Sequence, residues 1–183
     1  MIFGYTLEDL LLFNMEVLSA SYADYISANT LGFYIGILAN VALVLTLKKS
    51  LSLNCLILSA AWIFPGYAFF IKVFSEIYWP AQYAGFFCIA VGLGLISYGL
   101  FMPQRFDIQS KAQSLFTSMT LLPLVITYSF KAETLLSFGT SALVAALGTL
   151  SIFIFQKNLS ARLLSLCSAL WVLMVSVVIL GLD

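Results

Sequence analysis

Few residues in this chain could do chemistry, and most of them gather in one stretch, WIFPGYAFFIKVFSEIYWPAQYAGFF, from Trp62 to Phe87. Lys72 and Glu76 stand four apart there, so on an α-helix they share a face and can pair. At an exposed surface such a pair is worth only about 0.3–0.5 kcal/mol. With Tyr67 and Tyr83 pointing inward, the two charges would rim an aromatic-walled pocket for a small neutral or lipophilic molecule. Asn40 is the amide nearest the middle of an apolar run and must pair with another helix, a water or a ligand. Pro65-Gly66 and Pro123 interrupt two further runs, removing a backbone donor and bending the helix. Asn40, Pro65, Tyr67, Lys72, Glu76, Tyr83 and Pro123 are therefore the candidate ligand or pocket residues. The plainer reading of the same stretch is a hairpin anchored at a membrane surface. Tyr78 and Trp79, with Tyr128 later in the chain, suit an interfacial aromatic belt, and Pro80 suits a first helical turn.

Other chemistries are poorly provided for. The chain has no histidine, which removes the commonest general base and metal ligand. Cys55, Cys88 and Cys167 sit singly in separate apolar runs, as small buried residues do, and no metal-ligand spacing occurs. No paired carboxylates, phosphate-cradling glycine loop or cofactor pattern is present, and the expectation is no catalytic residue, no metal and no cofactor. A net charge of zero gives no reason to expect nucleic-acid binding. The opening MIFGYTLEDLLL is acidic rather than basic, so no cleaved signal peptide is expected.

The elements that must hold these residues follow from composition. Of 183 residues, 62% are hydrophobic and 9% charged, with a mean hydropathy of +1.07. Soluble domains carry about 25% charged residues. The expected fold is an all-α integral membrane protein. Spans of about 20 apolar residues are placed at 27–47, 51–71, 81–101, 114–130, 134–155 and 163–182. These six transmembrane helices form the bundle over 27–183. Residues 1–26 precede it as an N-terminal amphipathic interfacial helix: Leu7, Leu11, Met15, Leu18, Tyr22 and Tyr25 fall on one side, and Glu8, Asp9, Glu16 and Asp24 on the other.

Lys48, Lys49, Arg105, Lys111, Lys157 and Arg162 lie in loops on one side of that threading, and only Lys72 and Lys131 on the other. The positive-inside rule then places both termini on the outer face, periplasmic in a bacterial inner membrane. Lipid supplies no hydrophobic push between helices, so small residues must let them approach. Gly32 and Gly36 lead to Asn40 at four-residue spacing, and Ser137, Ser141, Ala145 and Thr149 repeat the pattern. Both sets read as helix-packing faces.

The order Tyr67, Phe69-Phe70, Ile77, Ala81, Gly85 resembles that of a small bacterial membrane-protein family, domain-of-unknown-function family 6064. Tyr78 and Trp79 stand where that family has Asn-Pro, and Ala84 precedes Gly85 where it has Phe. Phe13-Asn14 is similar to the Tyr-Asn of its leading helix. The family's fifth span opens on Pro-Cys-Pro; here SFGTSALVAALG occupies that place, with Gly148 in register. The resemblance implies the same six-span plan and no activity.

No ionisable side chain falls in the middle of any expected span, whereas pumps and intramembrane enzymes need such groups there. The expected function is that of a non-catalytic inner-membrane protein, an accessory or structural subunit partnered by lipid and by other membrane subunits or further copies. The alternative is a permease or binder of a small neutral or lipophilic molecule.

Overall fold

The computed structural model describes residues 15–46, 50–101, 115–120, 139–156 and 158–182. Every element among them is helical. Helix α1 (Met15–Ala28) meets α2 (Thr30–Thr46) at an elbow of 84°. The elbow is built from local polar contacts that compete with helix continuation. The Asn29 amide donates to Tyr25 O at 2.9 Å, and the Thr30 hydroxyl donates to Ser27 O at 2.9 Å. The boundary expected at residue 27 therefore falls at Asn29. On α1, Tyr25 is buried, Asp24 is exposed, and Leu18 and Tyr22 pack toward the rings of Phe69 and Phe74. Leu7, Glu8, Asp9 and Leu11 lie outside the described residues.

Helix α3 (Leu51–Pro65) starts at Ser50, whose side chain accepts from Leu53 N–H. The chain does not break at Pro65-Gly66. It continues as a π-helix, Gly66–Phe74, and a last α turn, Ser75–Ile77. Ser52–Ile77 thus forms one apolar helix of 26 residues. Its length of about 39 Å exceeds a bilayer core of about 30 Å. After the turn at Tyr78–Pro80, α4 (Ala81–Phe101) runs back antiparallel along it. Helix α5 (Ala142–Phe153) is short, about 18 Å. Helix α6 (Leu159–Leu182) returns beside α5 and starts four residues earlier than the span expected at 163–182.

Three of these helices are long and apolar enough to cross a membrane, or four if the bent α1–α2 pair counts as one crossing. Apolar side chains such as Leu31, Leu38, Phe101 and Leu159 are largely exposed on the outer faces, which is compatible with a membrane location. One expected span lies mostly outside the described residues, and another begins differently. Of 114–130, only helical residues 115–120 are described. Of 134–155, the described helix begins at Ala142, because Gly139 adopts φ +88° and cannot continue a right-handed helix.

The core lies where α3, α4, α5 and α6 meet, around Trp62, Leu58, Cys88, Leu95, Ala145 and Trp171. A second cluster, Tyr25, Phe69, Phe74 and Ala81, joins α1 to the π-helix.

Candidate functional site

The hairpin that sequence singled out is shaped by its π register. A turn that closes on the fifth residue brings residues five apart onto one face. Phe69 and Phe74 stack with ring centroids 5.5 Å apart and planes 9° from parallel. Tyr67 and Lys72 pair the same way, the ammonium 5.0 Å from the ring centroid. Gly66 and Ile71 together face Gly85. Lys72 thus lies over the Tyr67 ring, where the sequence led to an expectation of pairing with Glu76.

The candidate residues separate. Tyr67 and Tyr83 are 48% and 60% exposed, so they do not wall an inward pocket. Lys72 and Glu76 are exposed as well. Pro65 is buried at the start of the π-helix; Pro123, Tyr128 and Ser137 lie outside the described residues. Tyr78 is half-buried against Phe74, and Trp79 is exposed with its ring 5.8 Å from Tyr83, a placement that fits anchors.

Asn40 is buried and meets Thr120, its side-chain amide 3.3 Å from the Thr120 hydroxyl. That hydroxyl donates its single proton to Phe116 O at 2.8 Å. The amide therefore completes the contact best by turning its NH2 toward the Thr120 oxygen. Of the small residues expected to pack helices, Gly36 is buried against the Gly139 turn, and Gly32 faces the Phe64 ring. Ala145 and Thr149 are fully buried on α5. Ser141 is buried too, but it precedes α5 in extended conformation rather than continuing the stripe along a helix.

Several tying contacts were not expected from sequence. Trp62 Nε1 donates to Thr149 Oγ1 at 2.9 Å, joining α3 to α5 in the core. The Asn158 amide donates to Tyr98 Oη at 2.8 Å, while its oxygen accepts from Ala161 N–H and caps α6. Ser52 Oγ donates to Gly99 O at 2.7 Å. The α3–α4 seam itself rests on Gly85, Gly92 and Gly99. A Cβ at Gly85 would stand 2.6 Å from Gly66 O, and one at Gly99 would stand 2.7 Å from Cys55 Cβ. Seven-residue glycine spacing was the available signal: it is the period that keeps one face toward a left-handed antiparallel partner.

Chemically, the arrangement is one of closure. Among the described residues no group of three His, Cys, Asp or Glu side chains could hold a metal. Cys55 and Cys88 are buried, Cys167 half-buried, and none forms a disulfide. Among the described residues, three buried polar atoms lack a hydrogen-bond partner: Tyr25 Oη, Ser59 Oγ and Trp171 Nε1. Trp171 is enclosed by aromatic rings, stacked on Phe87 at 5.6 Å and edge-on to Trp62 and Phe70. Comparison with known proteins adds no assignment: no protein-family model, curated protein or solved structure matches this chain.

Proposed function

We propose that the chain is a non-catalytic, multi-pass inner-membrane protein that serves as an accessory or structural subunit of a larger membrane assembly. The observation that carries this reading is how the polar side chains between helices are used, Asn40, Thr149 and Trp62 buried among them. Asn40, Thr149 and Trp62 meet side chains on other elements, Ser52 reaches the backbone of α4, and Asn158 ties α6 to α4. These contacts hold helices together. The permease reading needs Asn40, Pro65, Tyr67 and Pro123 to converge; Asn40 is buried against Thr120 while Tyr67 is exposed beside Lys72, which favours the subunit reading.

The same proposal keeps six crossings, the N-terminal helix and both termini on the outer face, and the likeness to family 6064 at residues 67–85. Its test is purification in mild detergent followed by native mass measurement. A stable complex with other membrane subunits is the expected result; a lone monomer or homodimer would overturn it.

A further inference from the structure

Helix α6 carries two rows of side chains, and only one of them is used inside the chain. Ala161, Leu164, Ser168 and Trp171 are buried on the side where α6 packs against α5 and α4. The other row is Leu159, Leu163, Leu166, Leu170, Leu173 and Val177, each between 43% and 74% exposed. Its steps alternate between four and three residues, the heptad period that keeps one face turned to a neighbouring helix.

Spacing alone marks only an outward face. On α4 the outward positions Tyr83, Phe86, Ala90, Leu93, Ser97 and Leu100 follow a similar course, but they mix five residue types. On α6, five of the six leucines between Leu159 and Val177 fall on the one row. Fluid lipid chains accept any apolar shape and impose no such choice. A helix partner does, because each side chain must enter a hole between four residues of the facing helix.

The neighbour that fits is another α6. Copies of one chain insert the same way round, so their α6 helices run parallel, and a twofold axis along the membrane normal sets each leucine beside its own counterpart. Ala169 and Ser176 flank the row with small side chains, which lets two backbones approach. The Ser176 hydroxyl already donates to Val172 O at 2.8 Å, so it brings no unpaired donor to an apolar contact. Six side chains at these exposures offer roughly 600 Å² per copy before the flanking positions are counted, against about 800 Å² per partner in a standard interface.

We propose that α6 joins a second copy of this chain through the Leu159–Val177 row, the two helices packed in parallel about a twofold axis. The inference rests on the membrane location and not on the subunit reading, since a larger assembly accommodates such a pair.

The experiment places single cysteines in a Cys167→Ser background and oxidises them in native membranes with copper–phenanthroline. A disulfide needs Cα atoms within about 7 Å, which parallel counterparts on the row provide. Leu170→Cys is expected to give about tenfold more disulfide-linked homodimer than Leu93→Cys on α4, although both leucines are 54% exposed. Along α6 the yield is expected to peak at Leu163, Leu166, Leu170 and Leu173 and to fall at Ser165 and Val172. Leu173→Cys replaces Leu170→Cys should the latter fail to fold. Equal cross-linking at Leu93 and Leu170, or a scan without the heptad peaks, would overturn the proposal and mark the row as lipid-facing only. Native mass separates this outcome from the subunit reading. A complex with other subunits but no cross-links on the row defeats the inference and leaves that reading standing; cross-links on the row in a bare homodimer do the reverse.

Discussion

Two interruptions of the helical pattern behave in opposite ways. Pro65-Gly66 looks like a break and is not one; Gly139–Ser141 looks like part of a span and lies outside the helix, which begins only at Ala142. At Pro65 the chain loses one donor, and the residues beyond it wind as a π-helix until Ser75 N–H reaches Phe70 O, five residues back. Such an adjustment re-satisfies backbone groups freed by proline at membrane depth. At Gly139 the backbone itself leaves the right-handed region, and its Cα side lies against Gly36 of α2. A missing hydrogen bond can be absorbed by a change of register; a left-handed residue cannot.

The contrast can be broken by substitution. The largest effect is expected at the seam that the π register makes possible. Gly85→Val would drive a side chain into Gly66 O and Ile71, both backbone and core, and should destabilise by about 3 kcal/mol or prevent folding. Thermal unfolding in detergent reads it out; a Tm near wild type would mean that the two helices are not in backbone contact. Next comes Gly139→Ala. Alanine in the left-handed region, with its Cβ 2.9 Å from Gly36 Cα, should cost about 2 kcal/mol by the same measurement. The smallest effect is expected from Pro65→Ala, which returns a donor to a helix already continuous, and should change stability by less than about 1 kcal/mol. A loss as large as that of Gly139→Ala would show that proline holds the segment in place rather than being accommodated by it.

How far the sequence could be read depends on which rule governed each position. Hydropathy and Pro80 place α4 from Ala81 to Phe101, and the helix has those bounds. Asn40 was expected to need a partner, and Thr120 stands there. The Tyr67–Lys72 contact was not expected, because nothing local in GYAFFIKVF announces a π register. The register becomes visible only through its consequences, the Tyr67–Lys72 and Phe69–Phe74 pairs. The glycine seam is legible as Gly85, Gly92 and Gly99 at seven-residue spacing, a period distinct from the four-residue stripes of small residues. The Trp62–Thr149 bond joins residues 87 apart in sequence, and no single-chain pattern pairs them. The elbow at Asn29 lies two residues beyond the expected boundary, where a side-chain amide rather than hydropathy ends the helix.

The claim on which the rest depends is that Ser52–Ile77 crosses the membrane and places the aromatic hairpin on the face opposite Lys48 and Lys49. Single cysteines at Ser75 and Lys49, probed in intact cells with a membrane-impermeant maleimide, test it directly. The wild type serves as the blank, since Cys55 and Cys88 are buried and Cys167 half-buried. The expected result is labelling of Ser75→Cys from outside, with Lys49→Cys reacting only after the membrane is opened; both positions reacting from the same side would contradict the account.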